Sequence, residues 1–386
     1  MENRGGLDRY RLLAAFLVIA IHTSPLLSLN ENADFFLTRI FARMAVPLFL
    51  MITGYYVAVK FWEEEREPSG SLHILVRFLK KIALLYGISI MLYLPVGLYA
   101  GRYKEITVAG IFRMLIFDGT FYHLWYFPAC MLGMVILWIC SRCSRRWMEE
   151  SKRTLGEDKQ ELSDPEKKEM IGFQRTMLLT VILYAFGLLG DSYYGLTEQI
   201  PVLKKLYDGI FHVFSYTRNG IFLAPLFLML GVWIAQVEAR ITAQEMGRHL
   251  YEIQLHPVYI WNRRRAGTGL LISLALMTVE GFILHKVQWQ RHDSMYVMLP
   301  FVMLFLYIWI CAKPQQPSPQ LRKLSTWIYI LHPAVIVVVH ALPGGMGKLA
   351  VGNSLINYVL VAVGTTILSA AGMLLWKKMR NIQKKE

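Results

Sequence analysis

Arg11 and His22 stand eleven residues apart, with almost only apolar side chains between and after them: RLLAAFLVIAIHTSPLL. On a helix rising about 1.5 Å per residue they are separated by roughly 16 Å along the axis. A guanidinium at one membrane surface then puts the imidazole near mid-membrane, where an ionisable side chain is costly and marks a functional site by default. Imidazole titrates near neutral pH, so the chemistry it suggests is proton transfer. Its neutral form is also the cheaper one to hold in a low-dielectric site. The plainer alternative makes Arg11 a cytoplasmic anchor and His22 a packing residue. Asp8, one turn before Arg11 on the same face, either orients that guanidinium or complements the helix N-terminus.

Further polar residues interrupt apolar stretches. Glu280 breaks LLISLALMTVEGFILHK, with His285 five residues later, and is a candidate for lining an outer cavity. His332 lies about mid-segment in LSTWIYILHPAVIVVV, and the following Pro333 loosens backbone pairing, as happens where a helix lines a cavity or meets another helix. Arg43 enters its segment from the opposite side to Arg11, placed to hold an acceptor hydroxyl or carboxylate. Arg77, Lys80 and Lys81 open a third segment. They either obey charge asymmetry alone or bind phosphate, for which Arg is a two-pronged clamp and Lys a point charge. Trp125 and Tyr126, beside His123, suit an interfacial aromatic belt, with sugar stacking as the other reading. The four cysteines, Cys130, Cys140, Cys143 and Cys311, form no disulfide framework. With no second C-x-x-C or His pair beside CSRC, they read as small apolar packers and no metal site is expected.

The elements that carry these residues are membrane helices. Hydrophobic residues make up 55% of the chain and charged ones only 18%, and the apolar runs are mostly about 18–22 residues long, enough to cross a hydrocarbon core. The expected spans are 10–29, 42–60, 77–99, 122–141, 176–190, 219–236, 267–285, 295–312, 324–341 and 353–376; the fifth is short and runs into Gly190-Asp191. Lipid cannot satisfy open backbone groups, so the expectation is an all-α, polytopic transmembrane bundle of about ten spans. The intervening loops alternate between two sets that divide Lys and Arg about 30 to 11, which puts both termini in the cytoplasm. The net charge of +14 has that cause, and anionic lipid headgroups are its natural partners. No basic stretch is interleaved with exposed aromatics on a soluble module, so nucleic acid is not an expected partner. The first segment lacks a small-x-small cleavage site and is read as a span. Residues 1–386 form one membrane domain; 142–175 is a flexible or helical cytoplasmic loop, too small for a separate soluble domain. No internal repeat stands out.

Several motifs occur in one order: Leu7-Asp8-x-x-Arg11-x10-His22, then RMAVPLFLMITGYYV, Arg77-Phe-Leu-Lys80-Lys81, HLWYFPACMLG, and LSTWIYILHP with Tyr329 and His332. Together they resemble the bacterial acyltransferase-3 family of integral membrane acyltransferases over nearly the whole chain. IHTSPL and ADFFLTRIFARMAVPLF resemble more narrowly a Gram-positive subgroup that includes the membrane domain of vancomycin-resistance serine racemases. A racemase part would follow that domain, whereas this sequence ends at QKKE. The resemblance implies a multi-pass protein of the bacterial plasma membrane. It would transfer an acyl group, often acetyl, from cytoplasmic acyl-CoA, a donor substrate rather than a tightly bound cofactor. The acceptor would be a hydroxyl of a cell-envelope glycan or of a small molecule at the outer face. His22 and Arg11 would be the catalytic pair, with His22 either acting as base or carrying the acyl group. Arg77, Lys80 and Lys81 would hold the donor's phosphates, although the family pattern there is Arg-x-x-Arg and Lys80 departs from it. Glu280, His332, Arg43 and Tyr329 are the further catalytic or acceptor-side candidates. A carrier or binding module for a small amino acid such as serine is the second functional class.

Overall fold

The computed structural model describes residues 5–62, 68–103, 106–154, 165–246, 262–313, 315–341, 350 and 352–382. Among them there is no strand element, and the chain is all-helical. Each expected span overlaps a helix, the first ending six residues short of its expected bound: α1 (Gly5–Thr23), α2 (Ala45–Tyr56), α3 (Pro68–Tyr99), α4 (Tyr126–Thr154), α5 (Pro165–Leu189), α6 (Ala224–Met246), α7 (Arg263–Lys286), α8 (Leu299–Cys311), α9 (Pro319–Ala341) and α10 (Ser354–Ile382). Among the described residues, seven helical stretches are long and apolar enough to cross a membrane, α1 not being one of them; Ala224–Glu238 and Leu299–Cys311 are apolar but shorter. α1 carries Asp8, Arg9 and Arg11 in its first turns. The expected 142–175 loop is largely helical, because α4 continues to Thr154 and α5 begins at Pro165; residues 155–164 lie outside the described residues.

Segments expected as outer loops also contain helix. Asn30 accepts the N–H of Ala33 at 3.0 Å and starts a short helix, Glu31–Asp34, which passes through a π turn, Phe35–Ile40, and a 3-10 turn, Phe41–Met44, into α2. That cap is what the loop reading of 30–41 overlooked. Buried Asp34 staples this entrance by accepting the N–H of Leu26 at 2.9 Å. Thr107 caps Val108–Arg113 by accepting from Gly110 at 3.1 Å, and Pro201 opens Pro201–Val213.

The chain divides into two units. The first comprises Met1–Phe49, Tyr259–Ile283 and Met298–Glu386. Its centre is a three-helix contact of α1, α9 and α10 around Ala15, Ile19, Ile328, Val335, Val361 and Ala362. Between lipid-embedded helices the attraction comes from close packing, so the alanines, which let backbones approach, are as useful here as the larger side chains. α1 and α9 run parallel, since residues near their N-termini meet and so do residues towards their C-terminal ends. α10 runs back, with Ser354 at its start bonded to Ser28 just beyond α1 at 2.8 Å. Asn353 caps α10 by accepting from Leu355 and Ile356.

The second unit comprises Leu50–Val258 and Leu284–Val297. Within it α4 packs on α3, α5 and α6. Gly54 and Gly231 lie where α2 and α6 touch: a Cβ on Gly54 would run into the carbonyl of Leu228, and one on Gly231 into that of Met51. Neither position tolerates a side chain. Buried Asp191 organises the loop after α7, with Oδ1 accepting the N–H groups of Ser294 at 2.7 Å and Met295 at 3.0 Å.

Candidate functional site

The N-terminal end of α1 is held by one carboxylate. Asp8 is 3% exposed and accepts from Nε of Arg322 at 2.9 Å, from Nη2 of Arg322 at 3.2 Å and from the backbone N–H of Ser318 at 2.9 Å. This is the two-pronged geometry that suits Arg to carboxylates. Arg11, the expected partner, stands at 3.7 Å from the same carboxylate. Asp8 therefore complements two guanidinium groups and binds Arg322 the more closely. A second tie at this end is the N–H of Gly5, donating to the carbonyl of Gln315 at 2.7 Å.

Fourteen residues along α1 from Asp8, and ten along α9 from Arg322, the two helices meet again. His22 and His332 stack, with ring centroids 5.4 Å apart and planes within 18°. His332 is fully buried and His22 half-buried. Nδ1 of His332 lies 2.8 Å from the carbonyl oxygen of Tyr329 and 3.2 Å from that of Ile328. The Tyr329 ring stands 6.1 Å from that of His332 and packs edge-on to Phe49 at 6.0 Å. Three sequence candidates, His22, His332 and Tyr329, are thus brought together, and the ionic cluster on Asp8 closes the other end of the same helix pair.

The other candidates have the following settings. Glu280 accepts the N–H of Met298 through Oε2 at 3.0 Å, so its carboxylate tops the start of α8. Arg43 is half-buried at the end of the 3-10 turn. Arg77, Lys80 and Lys81 belong to the second unit, exposed along α3 and two to three turns inside the helix rather than at its first residues. Nη2 of Arg77 lies 2.7 Å from Nε2 of His73, a contact in which the guanidinium donates. Trp125 is covered by a cation: the Arg218 guanidinium lies 5.5 Å from its ring and 4.3 Å from that of Tyr216, and donates to Ser294 at 3.2 Å. His123 is buried against Tyr93, Phe121 and Tyr122. Among the cysteines, Cys130 and Cys311 are buried packers, but Cys143 is exposed.

Arg322 was the residue that sequence reasoning missed. Its signal was present, since Arg322-x9-His332 repeats the Arg-to-His pattern of Arg11-x10-His22 with a spacing one residue shorter. The acyltransferase-3 family model, described as an acyltransferase domain, matches residues 4–156 and 165–374. The chain belongs to this family. The family match takes in both helices of the histidine stack and the basic residues of α3. Among curated relatives, an amino-acid racemase of Enterococcus faecalis is 33% identical over 383 residues, covering 98% of this chain and 47% of the relative. A serine/alanine racemase of Enterococcus gallinarum is 33% identical over 367 residues, covering 95% and 45%. The chain thus spans about half the length of the curated relatives it matches. No solved structure matches it at a significant level.

Proposed function

We propose that this acyltransferase-family protein moves an acyl group, acetyl in the simplest case, from cytoplasmic acyl-CoA to a hydroxyl presented at the outer face of the bacterial plasma membrane. Both termini would then be cytoplasmic, with ten crossings. The observation that carries the reading is the His22–His332 stack, set roughly 16 Å along α1 from Arg11. That separation suits a pantetheine arm whose phosphates stay at the cytoplasmic surface while its thioester reaches the imidazole. His22, the more accessible ring, takes the proton of the acceptor hydroxyl. The oxygen attacks the thioester carbonyl, the C–S bond breaks, and CoA leaves as its thiol with the proton that His22 returns. Arg77, Lys80 and Lys81 supply positive charge for the donor's phosphates. Glu280 and Arg43 are the acceptor-side candidates.

A second reading, a membrane carrier or binding module for a small amino acid, draws support from the relatives named as amino-acid and serine/alanine racemases. One experiment separates the two. Protein in lipid vesicles is supplied with labelled acetyl-CoA and either envelope glycans or serine, and mass spectrometry tests the purified protein for CoA. Donor-dependent labelling that falls by about 100- to 10,000-fold in His22→Ala supports transfer. Serine uptake without any acyl donor, with no labelling, favours the carrier.

A further inference from the structure

Pro333 has no backbone N–H, so it withholds the hydrogen bond that a helix residue would give to the carbonyl four positions back, that of Tyr329. α9 nevertheless runs through this point without a break. A side chain fills the gap: His332 Nδ1 sits 2.8 Å from the Tyr329 oxygen. Carbonyl oxygens only accept, so Nδ1 carries a proton; in the neutral ring, Nε2 then holds the lone pair. Two carbonyl acceptors, that of Tyr329 and that of Ile328 at 3.2 Å, hold the Nδ1 proton and resist rotation of the ring. The imidazole is thus fixed in tautomer and in plane by its own helix.

That fixed ring is the one on which His22 rests, at 5.4 Å and 18°. Tyr329, backed by Phe49, closes on another side of it. We infer that His332 is a positioning residue, a tautomer-locked imidazole anchored on the carbonyl that Pro333 vacates, and that it sets the plane of the His22 ring. The inference rests on the proposed role of His22 in transfer. Pro333 then contributes to the chemistry by creating the acceptor that locks the neighbouring histidine.

The test uses the full chain in lipid vesicles. Pro333→Ala returns an N–H to Tyr329 and competes with His332 for its carbonyl. It should melt no lower than the parent, because a helix-interior proline has been removed, yet its kcat should fall by about ten-fold or more with KM for acetyl-CoA nearly unchanged. His332→Asn, whose amide can still donate near the Nδ1 position, should keep more activity than His332→Gln, or than His332→Phe, which keeps a ring without the donor. A readout free of activity is the solid-state 15N spectrum of histidine-labelled protein, with His332 assigned by difference against His332→Asn. The parent should show Nδ1 protonated, and Pro333→Ala should change that signal. An unprotonated Nδ1 in the parent overturns the inference, as does full kcat in Pro333→Ala with a changed signal. If Pro333→Ala does not fold, the Asn-over-Gln order decides, and equal activities refute the lock. Full turnover in His22→Ala would instead sink the transfer reading while leaving the tautomer result standing.

Discussion

Removing the charge of Asp8 should loosen the register of α1 against α9 and reach the histidines through it. Asp8→Asn keeps the size of the side chain but turns one acceptor oxygen into a donor that faces the Arg322 guanidinium. The carboxylate has three close donors, the Ser318 N–H and two nitrogens of Arg322, with Arg11 more distant. Breaking a fully buried ion pair by removing one partner costs about 3–5 kcal/mol, whereas an exposed pair is worth only about 0.2–1 kcal/mol. Here the Asp8 side chain is 4% exposed and that of Arg322 50%, so the case falls between these limits. About 2–3 kcal/mol is expected for Asp8→Asn, of which about 1–2 kcal/mol is coupling to Arg322. The assay is a double-mutant cycle of Asp8→Asn, Arg322→Gln and the pair, unfolded in mixed micelles and followed by tryptophan fluorescence. Activity measured alongside should fall, because a one-residue slip moves His22 by about 1.5 Å past His332 and misplacements of about 1 Å can cost on the order of 100-fold. Additivity within about 0.5 kcal/mol would mean that the pair does not lock the helices, and the reasoning would fail.

Arg77→Ala should weaken acyl-CoA binding by roughly ten- to a hundred-fold in a donor titration, while Lys80→Arg, restoring a second phosphate-gripping guanidinium, should bind equally or more tightly; unchanged affinity in Arg77→Ala would reduce the basic triad to a topology signal. Asp191→Ala strips two buried backbone N–H groups of their acceptor and should lower stability by about 2–3 kcal/mol in the same micelle unfolding assay, an expectation that a variant of parental stability would refute. Cysteines introduced in 191–218 should react with an impermeant reagent on intact cells and those in 142–175 should not; the reverse pattern would invert the orientation.

The helices were legible because hydrophobic length is a local property: apolar runs and polar breaks lie in consecutive residues, and even the short 176–190 run lies on a helix up to Leu189. Arg11, His22 and His332 were legible because a charge or imidazole inside such a run has no bland neighbour to hide among. What joins them was harder to see. Asp8 and Arg322 are 314 residues apart, and no window along the chain contains both. Asp8 was matched with Arg11 because that partner is one turn away, yet the more distant cation makes the shorter contacts. Pro333 was visible as a break, but its use depends on where the His332 ring turns, which three-dimensional packing decides. The segments expected as outer loops were misread for a different reason. The caps at Asn30 and Thr107 are single polar residues that look the same in a loop as at a helix start.

The parallel run of α1 and α9 imposes an arithmetic on the way the chain is threaded. Two neighbouring helices that point the same way through a bilayer can be joined only by an odd number of intervening crossings. If α1 and α9 both cross, the seven helices from α2 to α8 satisfy that parity when all of them cross as well, and no single one can then be withdrawn, neither the short α8 nor the apolar part of α6, unless a second is withdrawn with it. Because α10 returns antiparallel to α1, the start of α1 and the end of α10 would then also share one side. Two contacts, a carboxylate on a guanidinium and one imidazole on another, therefore act as a checksum on the threading of every helix between them.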